Sequence, residues 1–112
     1  MTYLLKYATR RPATGARVDE RLRLNRPGFY GGAYVRVFVG DTSGARFRRV
    51  PPHPRIALRV ADCTNVIALE FDLSNTMLRE NSLHKIDTLL GALTRFREAL
   101  AAEAALYAER ER

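Results

Sequence analysis

Residues 55–73 read RIALRVADCTNVIALEFDL, two alternating runs with a polar turn between them. In the first run Ile56, Leu58 and Val60 fall on one face. In the second, Ile67, Leu69, Phe71 and Leu73 fall on one face and Ala68, Glu70 and Asp72 on the other. A period of two marks strands, because successive side chains leave a pleated backbone on opposite sides. Asp62-Cys63-Thr64-Asn65 supplies the turn, so the stretch predicts an antiparallel hairpin with Ile67, Leu69, Phe71 and Leu73 facing inward.

Downstream of Ser82 the period changes. Leu83, Ile86, Leu90, Leu93, Leu100 and Tyr107 recur at helical spacing, with Leu89 and Phe96 widening the stripe. No proline interrupts, and alanine is dense from Ala99 onward. The spacing predicts a helix over 82–110, capped by Asn81 or Ser82. At 1.5 Å per residue its roughly 28 residues span about 42 Å. One face is expected to cross the sheet, and the last turns overhang it with an apolar stripe that needs a partner. The series Ile86, Leu90, Leu93, Arg97, Leu100, Ala104, Tyr107 has heptad spacing with an arginine in the seam. A two-fold helix–helix contact is therefore expected, with Leu93, Phe96, Leu100 and Tyr107 as the self-association residues.

Upstream of the hairpin, Ala33–Val39 is rich in β-branched and aromatic residues and predicts a strand. Gly40-Asp41-Thr42-Ser43-Gly44 supplies turn chemistry, and Ala45–Val50 reads as the returning strand of a first hairpin. Pro51, Pro52 and Pro54 end it, since proline lacks the ladder donor. Residues 8–32 are dominated by arginine, proline and glycine and read as a loop or basic arm. The Arg21-Leu22-Arg23-Leu24 alternation also allows one edge strand there. Tyr3–Tyr7 reads as a short first strand. Residues 1–112 thus predict a single α+β domain: an antiparallel sheet of four to five strands, with two β-hairpins over 33–73, followed by one long C-terminal helix.

Composition narrows the function classes. The chain has 112 residues, 46% of them hydrophobic, which fits one globular domain and excludes wholesale disorder. A domain this short buries a modest share of its surface, so oligomerisation would help it. The single cysteine, Cys63, cannot form an internal disulfide, which fits a reducing compartment. The apolar run before Lys6 is too short for a signal peptide. No run approaches the roughly 18–20 apolar residues that span a bilayer. A cytoplasmic protein without a membrane partner is expected.

Charge is distributed unevenly. Seventeen of the nineteen basic residues are arginine. Residues 1–60 hold thirteen basic side chains against three acidic ones, and residues 61–112 hold six against nine. A positive half joined to a slightly negative half favours polyanions or an acidic protein surface at one end. GC-rich coding also raises arginine over lysine. The densest run, Arg46, Arg48 and Arg49, lies on the predicted first hairpin with Arg36, and these four are the expected partner-contact residues.

Motifs for specific chemistry are sparse. Gly28-Phe29-Tyr30-Gly31-Gly32 is glycine-rich but precedes a strand, whereas a phosphate loop follows one and opens a helix. Gly31, Ala33, Tyr34 and Val35 match part of an RNA-binding signature, while Tyr30, Gly32 and Val37 do not. Tyr30, Tyr34, Phe38 and Phe47 sit among arginines, as stacking on single-stranded nucleic acid would use. Against that, Tyr34 and Phe38 share a strand face and are expected in the core. Glu80, His84 and Asp87 approach one another at helical spacing and read as a surface salt-bridge cluster rather than a proton-transfer site. His53 lies between prolines. Two histidines and one cysteine have no metal-ligand spacing. Neither cofactor nor metal is expected, and catalysis is not.

The segment Glu80-Asn81-Ser82-Leu83-His84-Lys85-Ile86-Asp87-Thr88-Leu89-Leu90, continuing through Leu93-Thr94-Arg95-Phe96-Arg97-Glu98-Ala99-Leu100, resembles small uncharacterised proteins of actinobacterial phages. The resemblance covers the last third of the chain and carries over no site residues. It implies an accessory protein acting inside an infected bacterium, with a host component among the possible partners. The sequence as a whole points to a homodimeric, non-enzymatic interaction protein presenting arginines to an acidic partner, with nucleic-acid binding through the same arginines as the alternative.

Overall fold

The computed structural model describes residues 15–29, 31–45 and 54–112. They fall into two compact units that divide between Phe71 and Asp72. The first is a four-stranded antiparallel sheet in the order β1 (Val18–Arg23), β2 (Tyr34–Val39), β3 (Ile56–Asp62), β4 (Asn65–Leu69). The second is built on one helix, α1 (Thr76–Arg110). This is the predicted α+β arrangement of antiparallel strands followed by a long C-terminal helix.

The hairpin predicted over 55–73 forms as β3 and β4, with Asp62 opposite Asn65 and Cys63-Thr64 as a two-residue loop. Cys63 adopts φ 56°. The first central position of such a turn favours glycine, because a side chain there crowds the following carbonyl. Cys63→Gly should therefore raise stability by about 0.5–1 kcal/mol, after the extra unfolded-state entropy of glycine is deducted. An unchanged or lower urea midpoint would count against this.

Residues 8–32 do more than loop. Val18–Arg23 forms an edge strand paired along its whole length with β2, from Val18 opposite Val39 to Arg23 opposite Tyr34. The connection back is a tight turn, Arg26-Pro27-Gly28-Phe29, closed by Phe29 N–H to the Arg26 carbonyl at 3.1 Å. Proline presets the second position, and glycine at φ 95° takes the third, as a type II turn requires. The Leu24 amide to the Ala33 carbonyl, 3.1 Å, closes the loop at its base. The predicted Tyr3–Tyr7 strand and nearly all of the Ala45–Val50 strand lie outside the described residues. β2 instead finds partners in β1 and β3.

Register sorts the side chains into two unlike faces. Rows Leu22–Val35–Val60–Ile67, Glu20–Val37–Leu58–Leu69 and Val18–Val39–Ile56 make one face almost wholly apolar. Rows Arg21–Arg36–Arg59–Ala68, Arg23–Tyr34–Ala61–Val66 and Asp19–Phe38–Ala57 make the other basic and aromatic. Tyr34 and Phe38 do share a face, as predicted, but it is the arginine face and they are only half-buried. Ile67, predicted inward, is 66% exposed on β4, which has one neighbouring strand among the described residues. Among the described residues the buried apolar side chains are Ala16, Ala33 and Ala61. The sheet thus holds most of its larger apolar side chains half-exposed.

Helix α1 is 35 residues long, about 52 Å, and starts six residues before the predicted Ser82. Asn75 is the true cap: its backbone is extended, and its side chain accepts from the Leu78 amide at 2.9 Å. Ser82 lies inside the helix, buried, and its hydroxyl donates to the Asp72 carbonyl at 2.8 Å. A serine that satisfies its hydroxyl this way need not cap anything. Arg79 donates to the Leu73 carbonyl at 3.2 Å and to Thr76 Oγ1 at 3.0 Å, fastening the first turn to the incoming chain.

Gly91 interrupts the helix interior, where glycine costs about 1 kcal/mol relative to alanine. A Cβ there would meet only the flexible end of Arg95, at 3.4 Å. Gly91→Ala should therefore raise the melting temperature and helical ellipticity, checked by circular dichroism. A lower melting temperature would show that the position tolerates no side chain.

Candidate functional site

The arginine face of the sheet is the most chemically loaded surface among the described residues. Arg21, Arg36 and Arg59 stand directly opposite one another on three adjacent strands. Neighbouring strands lie about 4.8 Å apart, so the row packs three guanidinium groups across about 10 Å. Like charges directly opposite destabilise a sheet. The fold tolerates that cost here and offsets part of it within the face. Arg36 Nη1 donates to Asp19 Oδ1 at 2.7 Å and to the Val37 carbonyl at 3.0 Å. Aromatic rings hold several of these guanidinium groups: that of Arg21 lies 4.1 Å from the Tyr34 centroid, and those of Arg36 and Arg55 lie 5.3 and 5.6 Å from Phe38. Such cation–π contacts orient the planar groups. Arg17, at the start of β1, pairs with Asp41 at 3.4 Å, an exposed bridge that contributes little.

One end of this face is concave. Arg21, Arg23, Gly31, Gly32, Ala33 and Tyr34 line a hollow of about 350 Å³. Its glycines leave bare backbone. Gly31 has φ 119°, and a Cβ on it would press on Asn25 Nδ2 at 3.3 Å, so a side chain is opposed both by conformation and by space.

Of the four predicted contact residues, the structure places Arg36 at the centre of this face, engaged by Asp19. Arg46, Arg48 and Arg49 lie outside the described residues. The sequence reading missed Arg21, Arg23, Arg55 and Arg59. The alternation at 21–24 was the available signal for the first two, but which arginines stand abreast depends on register.

Leu93, Phe96, Leu100 and Tyr107, named above for self-association, all lie on the exposed part of α1. They fall on one stripe, each more than half exposed, with Phe96 at 65%. Every residue from Ala92 to Arg112 is exposed.

The Glu80, His84 and Asp87 cluster does not assemble. Among the described residues no ion pair joins these three, and His84 Nε2 lies instead 3.4 Å from Thr88 Oγ1. All three are exposed, and helical spacing brought them near without aiming their side chains at one another. Among the described residues no group of three His, Cys, Asp or Glu side chains could hold a metal ion, and no helix is long and apolar enough to cross a membrane. Comparison with protein-family models, with curated proteins and with solved structures finds no match.

Proposed function

We propose that this chain is a non-catalytic interaction protein that dimerises through α1 and presents its arginine face to an anionic partner. The row Arg21–Arg36–Arg59 is the observation that carries the reading. A fold that keeps three like charges abreast gains stability when an anion neutralises them, so binding and relief of repulsion are one event. The resemblance of residues 80–100 to small phage proteins supports an accessory role in an infected bacterium, with a host component as the target.

The dimer rests on the exposed stripe Leu93, Phe96, Leu100 and Tyr107, and its occupant is a second copy of the same helix. The 3–4 spacing fits a helix of like pitch. Arg97 selects the orientation. A parallel, in-register pair would set Arg97 against its own copy in the seam, whereas an antiparallel pair separates the two charges and opposes the helix dipoles favourably. An antiparallel two-fold pairing also projects two arginine faces from one particle.

Affinity measured against salt tests the anionic partner. Binding to immobilised heparin, a generic polyanion, should weaken steeply as salt rises and should weaken again in Arg59→Gln. Passage through the column at low salt would remove the reading.

A further inference from the structure

Resting on the reading of the arginine face as an anion-binding surface, we infer that its ligand is single-stranded nucleic acid, with one base seated in the hollow beside Tyr34. Three features of the hollow go beyond a cation patch. Its wall is an aromatic ring, Tyr34, overlaid by the Arg21 guanidinium at 4.1 Å. Its floor is backbone alone at Gly31 and Gly32, with no side chain that a flat group would have to clear. Its volume, about 350 Å³, leaves room for one flat base beside the ring. An acidic peptide needs only the cations. A nucleobase uses the ring, the planar guanidinium and the bare floor together, because stacking on aromatic and arginine planes is how unpaired bases are held.

The remaining arginines suit the backbone. Arg23 stands beside the hollow and Arg59 continues the row across β3; both are exposed. Arg55 sits over Phe38 farther along the same face, repeating the ring–guanidinium pairing. A strand running from the hollow across the sheet would meet phosphates and stacking surfaces in alternation. A duplex, with its bases already stacked, cannot use the ring.

Fluorescence anisotropy provides the test, with labelled oligo-dT and oligo-U of about 20 nucleotides, a duplex of the same length, and poly-glutamate as the protein-like polyanion, at about 50 mM salt. The single strands are expected to bind more tightly than the duplex, and comparison of oligo-dT with oligo-U distinguishes a DNA from an RNA ligand. Tyr34→Leu should weaken single-strand binding roughly tenfold while leaving poly-glutamate unaffected. Tyr34→Phe, which keeps the ring, should retain it. Arg23→Gln should lower the slope of log K against log salt by about 0.7, one phosphate's share on a single strand. Circular dichroism checks that each variant folds. Binding to poly-glutamate without single-strand binding would overturn the inference and leave the anionic-partner reading standing. Equal loss of both ligands in Tyr34→Leu would also overturn it, since the ring would then serve only the fold. Binding to none of the four would remove both.

Discussion

Leu100→Asp is expected to convert the proposed dimer to a monomer. Leu100 lies near the middle of the exposed stripe, 57% accessible in the single chain, so the substitution does little to the isolated fold. At a two-fold interface it acts twice. Each copy forfeits about 2 kcal/mol of leucine burial and must also desolvate a carboxylate with no cation designed to meet it. A combined loss of at least about 4 kcal/mol weakens association roughly a thousandfold. Light scattering should give the dimer mass for the parent protein and the monomer mass for Leu100→Asp, with helical ellipticity largely kept. Arg97→Leu provides the opposite arm. It removes the one cation from the seam and should tighten association by about tenfold or more. A parent protein that stays monomeric at high concentration, or a Leu100→Asp variant that stays dimeric, would dismiss α1 as the interface.

The parts of this molecule that were legible in the sequence are those governed by near neighbours. The hairpin of β3 and β4 follows from alternation plus a two-residue turn, and the helix follows from periodic leucines with no proline after Pro54. What needed distant partners was not legible. β1 reads poorly by itself because four of its six residues are charged; it becomes a strand by pairing with β2 across a loop shaped by Pro27 and Gly28. The helix start was misplaced because Ser82 has the chemistry of a cap, and its true role, donating to the Asp72 carbonyl, depends on a chain reversal ten residues earlier. For the site, counting arginines along the chain pointed to 46–49. Proximity in sequence is a poor guide on a sheet, where side chains abreast come from strands some 15–25 residues apart, as Arg21, Arg36 and Arg59 do.

That distinction separates Arg36 from its neighbours in a way mutation can read. The sequence marks Arg36 as a partner contact, but its guanidinium is already committed to Asp19 and to the Val37 carbonyl. Its side chain is 32% exposed and that of Asp19 23%, so the pair is shielded enough to matter. Hydrogen bonds to charged groups contribute about 1.5–3 kcal/mol each. Relief of the repulsion from Arg21 and Arg59 offsets part of that loss, leaving Arg36→Ala destabilised by about 1–2 kcal/mol. Arg59→Ala removes an exposed cation with no ion pair among the described residues, so it should leave stability unchanged or slightly higher and lower anion affinity more than Arg36→Ala does. Urea midpoints and heparin retention on the same two variants measure both quantities. The expected pattern is a crossing one: Arg36→Ala costs the fold more and binding less, Arg59→Ala the reverse. If Arg36→Ala proved the more damaging to binding while leaving the fold intact, the Asp19 pair would be no anchor, and Arg36 would belong to the contact surface after all.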